Sequence, residues 1–190
     1  MNGLMHALLG AIFPPAPEPL DEVEQGRVAV VRGRVVPRDL MRSPLTQEQC
    51  VYYRYTVEDW RRSAFAALAG DGFWQLTEQD EAIVEFYLQD ADRRAVVSPF
   101  SAQVEPRRGV TPRPVALDTS GRRAHELLIR PGDWIEVVGE VDRVDDLFDD
   151  GRDYRGSPGR LCLRAPTGGP LLVRILHSDR AWLAASRPHR

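Results

Sequence analysis

Residues 43–60 read SPLTQEQCVYYRYTVEDW, and they set the expectation for the whole chain. Ser43-Pro44 makes a turn, and the polar step Thr46-Gln47-Glu48-Gln49 follows it. Beyond Cys50 come Val51, Tyr52, Tyr53, Tyr55, Thr56 and Val57. Aromatic and β-branched side chains fit a pleated, half-buried surface better than the crowded wall of a helix. Arg54, Glu58 and Asp59 interleave with Tyr53, Tyr55 and Val57, which predicts a strand with one wet or paired face.

The same pattern recurs on both sides. Upstream, the prolines of 14–19 (PPAPEP) form a stiff extended linker. RVAVVRGRVV at 27–36 predicts a first strand pair, with Gly33 marking a bulge or a close backbone approach. Downstream, RRSAFAALAG at 61–70 has helical propensity and reads as an excursion between strands. FWQL at 73–76 and AIVEFYL at 82–88 predict strands, and QDADRR at 89–94 a hairpin turn into Ala95-Val96-Val97. Residues 101–121, with Pro106, Pro112 and Pro114, predict a long loop. Arg130-Pro131-Gly132-Asp133 is a Pro-Gly turn ahead of the strand WIEVVGEV at 134–141. Residues 160–164 and 171–176 predict a hairpin around PTGGP.

Short strands, interrupting glycines and Pro-Gly turns predict an all-β or β-dominated (α+β) domain, a compact barrel or sandwich compatible with an OB-like barrel. Short helices are expected near both ends. The expected organisation is an apolar helix and Pro-rich linker over 1–20, one β domain over 21–180, and a helix end and tail over 181–190.

The chemistry is bounded by what is missing. All 25 basic residues are Arg, so no lysine nucleophile or phosphate-loop lysine exists. Two cysteines, Cys50 and Cys162, lack CxxC spacing and read as buried thiols. The histidines His6, His125, His177 and His189 are not paired at metal-ligand spacing. The acidic run at 144–154 misses two calcium-loop ligands: with Gly151 at the glycine position, Phe148 stands third and Ser157 last. No cofactor, metal or catalytic residue is therefore expected. Arg107, Arg108 and Arg113 with Arg122 and Arg123 make the only basic cluster, and the net charge of −3 argues against nucleic acid as the partner. No apolar run approaches the roughly 20 residues of a membrane span, so a soluble, cytoplasmic protein is expected, with residues 1–13 offering a weak membrane-surface contact.

Ser43, Pro44, Cys50, Tyr52, Tyr53 and Arg54 resemble the motif of the GIDE, or BAM ("beside a membrane"), domain family. The intermembrane domain of Mulan-type mitochondrial ubiquitin ligases belongs to that family, which also has prokaryotic relatives. Phe86-x-Leu88-x-Asp90, Val97-x-Pro99, Glu126 and Pro131-Gly132-Asp133 with Gly139 extend the resemblance, which spans residues 26–141. It implies a sensing or binding β-domain. In the family a RING carries the ligase activity; two cysteines cannot build one within this sequence. A glycine that the resemblance leads one to expect in the turn after Asp90 is absent; Ala91-Asp92-Arg93 stands there.

The functional expectation is a non-catalytic GIDE-like domain that binds a protein or a small ligand. Arg54, Glu58 and Trp60, with Arg107 and Arg108 of the Arg-rich loop, are the candidate contact residues. The alternatives are an OB-like nucleic-acid-binding module and a component of a Mulan-type ligase system with no ligase activity of its own.

Overall fold

A computed structural model describes residues 16–62, 72–107, 109–117, 121–144 and 160–177. Every regular element among them is a strand. The chain enters along β1 (Val28–Pro37). A small hairpin of β2 (Met41–Arg42) and β3 (Gln49–Cys50) leads into two long strands, β4 (Tyr52–Arg62) and β5 (Gly72–Ile83). The next hairpin joins β6 (Phe86–Asp90) to β7 (Arg93–Val97). The Pro-containing region holds β8 (Ala102–Pro106), β9 (Arg113–Val115) and β10 (Arg122–Ile129). Last come β11 (Trp134–Val144), β12 (Arg160–Arg164) and β13 (Leu171–His177).

Five of these strands close into a barrel, in the order β1-β6-β7-β12-β11 and back to β1. Renumbered along the barrel alone the order is 1-2-3-5-4-1. All pairs are antiparallel except β7 with β12, the third strand with the fifth. That is the connectivity of an OB-like barrel. Closure removes the unpaired strand edges that an open sheet leaves. Alternate residues point inward: Val31 and Val35 of β1, Phe86 and Leu88 of β6, Ala95 and Val97 of β7, Ile135 and Val137 of β11, and Leu163 of β12 share one core.

Two insertions decorate the barrel. One, between β1 and β6, carries β2 to β5. The other, between β7 and β11, carries β8 to β10. Together they build a second sheet, β5-β4-β10-β9, with one central strand and one edge strand drawn from each insertion. The turn that ends this sheet is the expected Pro-Gly turn. Gly132 takes φ +90°, Asp133 N–H donates to the Arg130 carbonyl at 3.1 Å, and Asp133 Oδ2 accepts the Arg130 N–H at 2.8 Å.

Several expectations are corrected. Residues 160–176 do not form a hairpin: β12 pairs with the far half of β11 (140–144) and β13 with its near half (134–138). Both lie along the same side of β11, with the PTGGP step between them. Gly139 sits at this step, where a Cβ would collide with Leu171 and come within 2.8 Å of the Arg164 carbonyl oxygen. The residues expected to wrap a turn of their own are instead diverted around one glycine. Gly33 likewise marks a close approach, to the Gln89 carbonyl, with no bulge in its pairing to β11. Residues 27–36 are one strand, not a pair.

Arg61 and Arg62 belong to β4, so the helical excursion does not start there; 63–71 lie outside the described residues. β5 runs through Thr77-Glu78-Gln79-Asp80-Glu81, a polar run that sequence reading leaves out of the strand. The long loop of 101–121 contains β8 and β9. Ala91 takes φ +47°, the left-handed region that favours glycine, at the turn between β6 and β7. The expected end helices, residues 1–13 and most of the acidic run lie outside the described residues. Among the described residues no helix is long and apolar enough to cross a membrane.

Candidate functional site

The motif around Ser43 builds a clasp. Ser43 is fully buried; its N–H donates to the Glu48 carbonyl at 3.0 Å and its carbonyl accepts the Gln47 N–H at 3.1 Å. Its hydroxyl meets that of Thr46 at 2.8 Å, and Thr46 in turn donates to Glu126 of β10. The other oxygen of Glu126 accepts the Leu45 N–H at 3.3 Å. Glu126 is 3% exposed, so two donors satisfy a carboxylate that would be costly to bury alone. Glu48 adds ion pairs to Arg113 and Arg130. Pro44 is exposed, while Cys50 is buried and donates weakly to the Met41 carbonyl. Burial pushes the Cys50 thiol up to about 11, helped by the charge of Glu126, so it is not a thiolate at neutral pH.

β4 leaves this clasp with two different faces. Tyr53, Tyr55 and Val57 share a face with Ala124 and Glu126 of β10. Leu45, Val115 and Leu117 pack against it, and Tyr55, Val57 and Ala124 are buried there. The tyrosine hydroxyls are tied to β5: Tyr55 donates to Glu78 at 2.6 Å and Tyr53 to Asp80 at 3.0 Å. The hydrogen bond to Glu78 holds the Tyr55 hydroxyl up at about 12, since ionisation would destroy it.

The other face carries Tyr52, Arg54, Thr56, Glu58 and Trp60, beside Arg123, His125 and Leu127 of β10 and Trp74 and Leu76 of β5. Burial falls steadily along it. Tyr52 is 2% exposed in the barrel core, with its hydroxyl on Glu81 at 3.2 Å. Arg54 is half-buried opposite Leu127 and Glu81. Trp60 is 42% exposed. At this outer end Trp60 and Trp74 meet edge to face at 5.2 Å between ring centres, and the Arg123 guanidinium lies 4.4 Å over Trp74. Arg123 also donates to Glu58, holding the Glu58 carboxyl below its usual range. The result is a continuous surface of carboxylate, guanidinium and two indoles, extended by Leu76.

The sheet thus brings Arg54, Glu58 and Trp60 onto one face. It does not bring Arg107 to them. Arg107 follows β8, where its N–H donates to the Ile175 carbonyl, and it lines a different surface with Arg32 and Arg174. Arg108 lies outside the described residues. The basic cluster also comes apart: Arg113 pairs with Glu48, Arg122 with Asp59 and Arg123 with Glu58. Asp59, expected on the wet side with Glu58, faces the tyrosine side through its pairing with Arg122. Trp74 is a contributor that the sequence did not single out, and Arg123, expected in a basic loop, is instead part of strand β10. Only the register of β4 against β5 and β10 places them beside Trp60. Comparison with protein-family models and with curated proteins finds no match for this chain.

Proposed function

We propose that this chain is a non-catalytic binding domain that engages a protein partner through the open face of its β5-β4-β10-β9 sheet. The observation that carries this reading is the exposed Trp60 packed on the half-buried Trp74, capped by Arg123 and flanked by Glu58 and the exposed Leu76. Tryptophan and arginine dominate the energetics of protein contacts, because they remove large apolar area from water while keeping a polar tip. Both thiols are buried with raised pKa values, so neither serves as a ready nucleophile. The GIDE-like resemblance of residues 26–141 belongs to the same proposal: its motif supplies the clasp from which the sheet projects. A Mulan-type role would then be that of a recognition module, with ligase chemistry supplied elsewhere.

The nucleic-acid reading is weaker. Arg113, Arg122 and Arg123 each already neutralise a carboxylate, which lowers the free positive charge a phosphate backbone needs. The test is site-specific photo-crosslinking in cells, with the photoreactive residue in place of Leu76, which is 50% exposed, or of Phe100, which is 82% exposed in the β7–β8 turn. A discrete adduct from position 76, lost in the Trp60→Ala/Trp74→Ala variant, is expected. Equal adducts from both positions, or none from 76, would overturn the proposal.

A further inference from the structure

We infer that the outer edge of β5 accepts an extended segment of a partner protein as an additional strand, apolar in one half and cationic in the other. This rests on the binding-domain reading and names the partner chemistry for it. The two edges of the projecting sheet are treated very differently. β9 is three residues long and contains Pro114, which has no N–H to offer, so that edge is blunted. β5 is twelve residues long, contains no proline, and pairs only with β4 among the described residues. Such an edge carries a row of N–H and C=O groups able to pair with another chain.

Its side chains fall into two halves. Phe73 and Leu76 are 53% and 50% exposed, and Trp74 stands between them. Beyond the bulge at Thr77 come Glu78, Asp80 and Glu81, with no cationic residue in the strand. Charges on an edge commonly serve to repel other strands. These three differ in being oriented: Tyr55, Tyr53 and Tyr52 of β4 each donate a hydroxyl to one of them. Glu78 and Asp80 lie on one face of β5 and Glu81 on the other, so oriented carboxylates flank the edge on both faces. The acidic half repels a second β5 in any register that brings the two acidic halves together, and it favours a cationic strand by charge complementarity.

The probe is a pair of synthetic peptides matching β5 in length. One alternates Val and Thr and then Arg and Thr; the other has the halves reversed. Together they cover the parallel and antiparallel senses. Each is titrated into the full chain while amide resonances are followed by NMR. One peptide is expected to shift the β5 amides saturably. N-methylation of its alternate amides should weaken binding by about tenfold or more, since the strand bonds are lost. The Glu78→Gln/Asp80→Asn/Glu81→Gln variant keeps acceptors for the tyrosines, and should weaken binding by a similar factor that shrinks at high salt. Absence of shifts, shifts that ignore N-methylation, or dimerisation through β5 would overturn the inference. So would outer-row β5 amides already protected from exchange in the free chain, because a segment of the chain itself would then hold the edge. No peptide binding, with the adduct from position 76 intact, removes the edge and leaves the face. Loss of both removes the binding-domain reading.

Discussion

The barrel and the projecting sheet are built from similar residues and held together in different ways. In the barrel every strand is bonded on both sides, and its inward row fills one shared core. The sheet has two edges; one end of β4 and β10 reaches the barrel core through Tyr52, Leu127 and Ile129, and beyond it the buried cluster is small, Tyr55, Val57 and Ala124. Side-chain bonds supply what burial does not: three tyrosine–carboxylate pairs, the Thr77 hydroxyl on the Val57 carbonyl, and ion pairs from Arg122 and Arg123 to Asp59 and Glu58. A structure fixed by burial turns its apolar rows inward. One fixed by bonds along its strands keeps a face and an edge exposed, and both proposals rest on that difference.

The contrast is broken most readily by truncating one residue in each region. Phe86 is fully buried in the barrel, and Phe86→Ala is expected to cost about 3–5 kcal/mol in urea unfolding. Leu76→Ala on the sheet should stay within about 0.5 kcal/mol, since little burial is lost there. Comparable costs would mean that the face is not open. Next in size is the clasp. Glu126→Leu strands the Thr46 hydroxyl and the Leu45 N–H, and a loss of about 1–3 kcal/mol is expected. An unchanged midpoint would mean that the clasp does not anchor the sheet.

Tyr55→Phe removes one bond of the tyrosine row and should cost about 1 kcal/mol. Its pH dependence has a definite sign. The folded-state hydroxyl titrates near 12 against an ordinary 10.0, so the neutral form is favoured by folding. That contribution is complete below pH 10.0 and lost as the pH rises through about 12. Unfolding followed across this alkaline range should show a shallower decline for Tyr55→Phe than for the parent chain. At the Ala91 turn, Ala91→Gly relieves the left-handed strain, and a gain below about 1 kcal/mol is expected in the same unfolding measurement. The smallest effect concerns reactivity alone. Cys50 and Cys162 are buried with raised pKa values, so a thiol reagent at pH 8 should label neither until the chain is unfolded.

The strand character of β4, β6, β7 and β11 was legible in the chain, as was the Pro-Gly turn at 131–132, because residue type and period-two alternation act locally. The polar half of β5 was not legible. Glu78, Gln79, Asp80 and Glu81 have poor strand propensity, and they are held extended by β4, with tyrosine donors that lie far away in sequence. β12 and β13 misled for the converse reason. Two short apolar runs around PTGGP look like a hairpin, but each pairs with a different half of β11. The candidate site divides in the same way. Arg54, Glu58 and Trp60 share a face by simple alternation along β4. Arg107 was grouped with them only by charge, and it lies against β13.

The sequence by itself determined that this is a β-rich domain, lysine-free, with buried thiols and a distinctive run at 43–60. Those are properties of residues and their near neighbours. Tertiary structure alone decided that β1, β6, β7, β12 and β11 close a barrel and that Trp74 and Arg123 join Trp60. It also left β5 as a long edge, apolar in one half and acidic in the other, while β9 is short and carries proline. Each of these depends on strand register between distant segments, and register is set by which buried faces and closures are satisfied together.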